Sequence, residues 1–308
     1  MVSMRKIILY AYGAIVMSAL AFSCAPPARA AEPTSSPDKV LLDKYVEIKG
    51  KLEKNQFGLP LYLESEAKGD NLQGDVYGII DYPYYSFGDA LQLPAEWCSI
   101  TPLDLNIKAC TYRKVDNQYE LTLYSGNKHY QPPESANKLE LKFHVVANSP
   151  DYLHISLTAD KGPFFTRDYR IGLEAVALDK ARTFVHFRYS YSYGMFVRIL
   201  IKTYFATAGH DKMGFSIVGI DKNSNPIYVT GVRGALERNA VRYYLAILAY
   251  MDTLKFPANE RFDKRIDEWF NLTEKYHRQL FEIDKEEYLT SKRKEHNNQL
   301  KLQADSGE

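Results

Sequence analysis

Between residues 107 and 193 the chain repeats one pattern: a stretch of alternating apolar and polar residues, then a short polar connector. The alternation predicts extended segments at 109–114, 119–124, 139–147, 152–159, 169–178 and 182–193. In the third, Leu139, Leu141, Phe143 and Val145 alternate with Glu140, Lys142 and His144, as a strand with one buried face requires. The connectors NSPD (148–151) and GPFFTRD (162–168) have the composition of turns. Parallel pairing would need a crossover of about a dozen residues or more. Successive strands must therefore pair antiparallel in a meander, which places the chain in the α+β class and excludes a βαβ sheet.

Helical patterns flank the meander. Asp38 to Lys54 carries Leu41, Leu42, Tyr45, Ile48 and Leu52 on one face and is stopped by Gly58 and Pro60. A hairpin is predicted from 61–66 and 72–80 across the turn Lys68-Gly69-Asp70-Asn71. Pro83, Phe87, Ala90 and Leu91 mark a short helix, and a second carries Trp97 and Cys98 inward. After the meander come a helix-like stretch at 195–208, strands at 214–220 and 227–231, and a long helix at 235–254. Beyond Pro257 the tail 259–302 is charged and helical, with Phe262, Ile266, Trp269, Tyr276, Leu280 and Ile283 on a three-four spacing. That seam must pack on something, either the domain itself or a second chain.

The first thirty residues bear on the compartment. Arg5 and Lys6 precede an apolar run to Ala25, and Ala28-Arg29-Ala30 puts small residues on either side of Arg29, the pattern of a secretory leader. Cleavage near Ala30 would place the mature chain in a periplasm or outside the cell. Phe22 stands where a lipobox has a small residue, which argues against lipidation of Cys24. The remaining cysteines, Cys98 and Cys110, are expected to form a disulfide in that oxidising setting. Without Arg5, Lys6 and Arg29 the 39 basic residues become 36 against 38 acidic, a balance that does not call for nucleic acid or a strongly charged partner.

The order of helix, hairpin, two short helices, antiparallel meander and long helix resembles the START and Bet v 1-like helix-grip superfamily. Gly74 to Ile100, GDVYGIIDYPYYSFGDALQLPAEWCSI, is similar to the opening segment of that superfamily: a strand, a helix started by Pro83, then a second short helix with Trp97. Gly231 to Leu254, GVRGALERNAVRYYLAILAYMDTL, is similar to the last strand passing into the gripped helix. The resemblance implies a curved antiparallel sheet gripping a long C-terminal helix around an apolar cavity, over residues 58–255. Outside it lie the leader (1–30), a tether with the N-terminal helix (31–57) and a charged helical tail (256–308). The stretch 195–208 and the tail depart from the superfamily pattern. The whole chain is also similar to a family of exported bacterial proteins.

Strands 169–178 and 182–193 each offer two faces. One carries Arg170, Glu174, Arg182, His186 and Arg188, either a holder for an anionic headgroup or a set of cross-strand ion pairs on an exposed face. The other carries Ile171, Leu173, Ala175, Val185, Phe187, Tyr189 and Tyr191. Under the resemblance, Leu173, Phe187, Tyr189 and Tyr191 are expected to line the cavity, with Tyr244 and Ile247 facing them from the helix. Arg238 and Arg242, one turn apart, are expected to border its mouth. Ligand sites of that kind measure about 300–1,000 Å³.

The 24 tyrosines, against 2 tryptophans, suit a wet cavity or an interface, and equally a sheet-rich core. The apolar stretch 195–208, with Arg198 and Lys202 one turn apart, is either a buried helix or a lid that touches a membrane surface. HExxH, G-x-S-x-G, a phosphate loop and a clustered carboxylate–histidine set are all absent, so neither metal nor cofactor is expected. The resulting expectation is an exported protein that binds a lipid or other apolar small molecule without catalysis. Its rivals are a cyclase or hydrolase using His186, Glu174 or a cavity tyrosine as acid or base, and an envelope protein that recruits a partner through 259–302.

Overall fold

The computed structural model describes residues 35–194 and 212–306; the leader and the 195–208 stretch lie outside them. Helix α1 (Pro37–Glu53) leads into a hairpin of β1 (Leu61–Lys68) and β2 (Asn71–Ile80). Helices α2 (Tyr84–Leu91) and α3 (Pro94–Ile100) precede the meander. Its strands are β3 (Ile107–Val115), β4 (Gln118–Ser125), β5 (Asn137–Asn148), β6 (Leu153–Lys161), β7 (Thr166–Ala177) and β8 (Thr183–Tyr193). A second hairpin, β9 (Met213–Ile220) and β10 (Pro226–Thr230), runs into helix α4 (Gly231–Thr253). Helices α5 (Ala258–Glu274), α6 (His277–Leu280) and α7 (Lys285–Asp305) follow.

The main sheet has the order β1-β2-β8-β7-β6-β5-β4-β3, antiparallel throughout, so the first hairpin closes on to the last strand of the meander. Irregular pairing between Val145 and Ala147 in β5 and between Arg167 and Arg170 in β7 bends those strands, as bulges do. The inner face of the sheet and α4 share one apolar core. Two glycines bring helix and sheet into direct contact. A Cβ on Gly74 would stand 3.2 Å from the Ala240 methyl, and one on Gly78 would run into the Tyr244 hydroxyl. The outer face is covered by α1, whose Leu41, Ile48 and Leu52 pack with Tyr77, Tyr152, Val176 and Phe184.

Helix α4 is buried on nearly every side, which one sheet cannot achieve. The tail supplies the second cover. Ile266 and Trp269 of α5 are fully buried, and the Trp269 indole donates to the carbonyl of Arg242 at 3.2 Å. Tyr276 donates to the Phe57 carbonyl (2.8 Å) and Tyr288 to that of Leu103 (2.9 Å). The apolar seam of the tail is thus consumed within the chain. The tail is also broken: the single helical stretch expected over 259–302 divides at residues 275–284, where it turns back along the sheet edge.

That edge is β3, and α7 covers it with side-chain amides. Gln299 accepts from the amide of Cys110 (2.8 Å) and donates to the carbonyl of Cys98 (3.0 Å). Gln303 bonds both backbone groups of Tyr112 at 2.9 Å. Four helical residues rise about 6 Å and two strand residues about 6.6 Å, so glutamines four apart match strand residues two apart. Unpaired edges invite aggregation, and this device removes one. Behind it, Glu295 takes Lys108 at 3.0 Å and Lys292 at 2.8 Å in a site where all three are buried. Both lysines also donate to backbone carbonyls, Lys108 to Leu105 and His129, Lys292 to Asp104 and Ile107. The Cys98–Cys110 bridge ties α3 to the same strand.

One boundary differs from expectation. Helix α4 begins at Gly231, four residues early, because Gly231 adopts φ 66° and turns the chain directly from strand into helix. Glu237 is fully buried and accepts from the amides of Phe215 (2.7 Å) and Ser216 (2.8 Å), fastening β9 to α4.

Two outcomes are expected of this arrangement. Glu295→Gln should cost about 3–5 kcal/mol in urea unfolding, because it leaves two buried ammonium groups with no charge partner. Removal of residues 258–308 should lower the melting midpoint and drive self-association in size-exclusion chromatography, since it uncovers both α4 and the β3 edge. An unchanged midpoint and elution volume would contradict the docking described above.

Candidate functional site

The inner face of the sheet carries the expected residues. Leu173, Phe187, Tyr189, Tyr244 and Ile247 are all buried in the main core, and Tyr191 packs against it partly buried. They do not frame an open cavity. Phe187 and Ile247 line a void of about 10 Å³, together with Trp97, Leu123, Ile171 and Tyr243. The expectation of several hundred cubic ångströms is corrected on this point. Large aromatic side chains fill the space between sheet and helix.

Tyr244 is placed differently from the expectation, with its ring over β2 at Gly78. Tyr243, one residue earlier, is the helix residue that meets the β8 aromatics. Its ring centroid lies 5.5 Å from Tyr189 and 6.3 Å from Phe187. Tyr191 lies 5.7 Å from Tyr189 and stacks on Tyr169 at 5.4 Å. Tyr169, Tyr189, Tyr191 and Tyr243 thus form an aromatic cluster that reaches the void through Tyr243. Burial pushes the Tyr189 and Tyr243 phenols well above their ordinary pKa, so they remain neutral. Tyr243 escaped sequence reasoning because its neighbour, on the adjacent helical position, was given the cavity-facing role.

The two arginines of α4 are used for packing. Arg242 is buried and donates to the carbonyl of Leu280 (3.1 Å) and to Glu282 (3.4 Å), so it docks the tail where a cavity mouth was expected. Lys212 joins the same Glu282 at 2.7 Å. Arg238 donates to the carbonyl of Met213 at 3.3 Å.

On the outer face the expected constellation divides. Glu174 and His186 are register partners, and the imidazole Nδ1 bonds Glu174 at 2.7 Å. Its Nε2 bonds Asp75 at 2.7 Å, and Asp75 also accepts from Arg188 (2.7 Å) and Gln73 (2.8 Å). Tyr152 donates to Glu174, and Tyr77 stacks on the imidazole at 4.4 Å. Arg170 stands exposed, and Arg182 pairs with Asp179 in the β7–β8 turn. Asp75 was the residue missed. Its signal was present, since Gln73, Asp75 and Tyr77 share the outward phase of β2.

Burial alone would raise the two carboxylates, but their hydrogen bonds outweigh it and hold both at about 2. Burial likewise opposes protonation of His186, and its two carboxylate partners overcome this and raise it above 6.5. With both ring nitrogens bonded to carboxylates, His186 is an imidazolium held in a structural ion cluster. Among the described residues no group of three or more His, Cys, Asp and Glu side chains could hold a metal ion. None of the described helices is long and apolar enough to cross a membrane.

No family model matches the chain, and no curated protein matches it. Solved structures do. The ZhuI aromatase/cyclase from Streptomyces sp. R1128 is 11% identical, covering 58% of this chain and 90% of that one, with a TM-score of 0.34. Norcoclaurine synthase from Thalictrum flavum is 13% identical, covering 44% and 82%, with a TM-score of 0.31. Human StAR-related lipid transfer protein 5 is 10% identical, covering 55% and 87%, with a TM-score of 0.30. The strand order and the enclosed long helix are those of an α+β fold in which a large antiparallel sheet grips a helix.

The ion cluster sets a pH dependence. Asp75 and Glu174, with ordinary values of 3.8 and 4.5, contribute stability above that range that is lost as pH falls towards 2. His186 contributes stability that is complete below 6.5 and lost as pH rises through its raised folded value. Urea midpoints should therefore fall at both ends, and His186→Gln should abolish the decline on the alkaline side. Parallel curves for the two proteins would contradict the assignment.

Proposed function

We propose that the protein binds a small apolar molecule, of lipid or aromatic character, between its sheet and α4, and performs no chemistry on it. The observation that carries this reading is the void at the centre of the grip. Its lining is apolar and drawn from both layers, with Phe187 and Ile171 on the sheet and Tyr243 and Ile247 on the helix. At about 10 Å³ it is the closed form of such a site, and a ligand enters by parting the rings that stack beside it. Tyr243 is the movable part of the wall, with the Tyr189 ring 5.5 Å behind it. Leu173 and Tyr191 pack in the core beside this wall; Arg238, Arg242 and Tyr244 act one step back, by seating the helix.

The placement of His186 supports binding without catalysis. It alternates with Phe187 along β8 and so faces away from the void, with both nitrogens occupied. Export forms part of the same reading, supported by the leader pattern and by the Cys98–Cys110 bridge, which suits an oxidising compartment.

Phe187→Ala removes a ring from the wall of the void. It should increase uptake of a fluorescent apolar probe over wild type while costing about 3–5 kcal/mol of stability. Ile247→Phe fills the same space and should reduce uptake. Absence of uptake by wild type and by Phe187→Ala alike would overturn the reading.

A further inference from the structure

A second pocket, of about 270 Å³, lies outside the grip, where α5 and α7 fold back against α3. Its floor holds Arg265, which is 6% exposed. The guanidinium lies 4.3 Å over the Tyr250 ring, and its bonds are to neutral groups: Nε to the Thr253 hydroxyl (3.3 Å) and Nη1 to the Ser99 carbonyl (3.5 Å). Nη2 has no protein acceptor, and Arg265 makes no ion pair among the described residues. Arg261, four residues earlier on the same face of α5, also lines the pocket, and its one bond is to the Phe256 carbonyl (2.8 Å). A buried guanidinium is costly when its countercharge is incomplete, and Glu96 on the same wall offsets this one only in part.

The other charges on the wall are committed. Lys292 and Glu295 satisfy each other and Lys108. Glu96 accepts the Tyr250 hydroxyl. Counting Arg261, Arg265 and Lys292 against Glu96 and Glu295, the lining carries one net positive charge. The side wall is a flat aromatic pair, Phe262 stacked on His296 at 3.8 Å and 14°. Burial pulls the Arg265 guanidinium below its usual range; Tyr250 and Glu96 offset this in part and Arg261 adds to it, so a bound anion would relieve what remains.

We infer that this pocket binds a small oxyanion, the carboxylate or phosphate group of a small molecule, with Arg265 and Arg261 as its ligands. The guanidinium fork matches the paired oxygens of either group. The volume accommodates a compact metabolite-sized anion. The site is independent of the apolar void, because α4 lends it only Tyr250 and Thr253, near its C-terminal end.

Isothermal titration of the full mature chain, with the disulfide intact, tests the inference with two probes, inorganic phosphate and benzoate. Binding of either is expected, with a thermal midpoint that rises with probe concentration. Arg265→Gln should weaken it by about tenfold or more, as loss of a charge-assisted contact does. Arg261→Gln, on a less buried residue, gives the same reading should Arg265→Gln fail to fold, and Arg167→Gln on exposed β7 should bind as wild type. Preference for phosphate or for benzoate identifies which oxyanion group the site takes. No binding of either probe, or unchanged binding in both pocket variants, would overturn the inference.

Discussion

A helix that is buried on nearly every side has to be enclosed by more than one layer, and α4 is such a helix. The sheet grips one side of it, through the close approach at Gly74 and Gly78. The other side would face water without α5, α6 and the strand-edge cover of α7. The tail is therefore part of the fold, although it lies outside the part of the sequence that resembles helix-grip proteins. Its attachment uses groups that are expensive to bury and so specific in register: Glu295 between two lysines, Arg242 with Glu282, and glutamine amides against β3. Each tolerates little displacement without stranding a polar group.

Enclosure of α4 from two sides also explains why the interior is tight. An open grip could widen by tilting its helix away from the sheet. Here Trp269 and Tyr276 hold the helix and its surroundings from behind. Space for a ligand must come from the ring of Tyr243, which lines the void, and from Tyr189, which lies 5.5 Å behind it. The outer face of the sheet is equally fixed, with α1 over its apolar part and the Asp75–His186–Glu174 cluster over its polar part.

Much of this was legible in the sequence. Period-two alternation placed the strands, and the even spacing of Glu174, His186 and Arg188 put them on the outer face where they are found. Pro83 marked the first short helix, and Cys98 and Cys110 the bridge from the second to β3. The long range was not legible. Asp75 joins His186 across 111 residues, a pairing that depends on β2 closing against β8. Tyr243 and Tyr244 are adjacent, and only the approach at Gly78 decides which of them faces β8. The pocket of Arg261 and Arg265 exists because the tail bends at 275–284, and neither glycine nor proline announces that bend. Buried charges such as Lys108, Lys292 and Glu295 read in the sequence as ordinary surface residues.

The central claim is that the grip around α4 is a binding site for an apolar molecule. Native mass spectrometry of the mature protein, purified without detergent and compared before and after extraction with organic solvent, tests it most directly. The account predicts a mass excess from a small apolar molecule that extraction removes, and loss of that excess in Ile247→Phe. A single mass equal to that of the polypeptide, unchanged by extraction and by incubation with fatty acids, would contradict it.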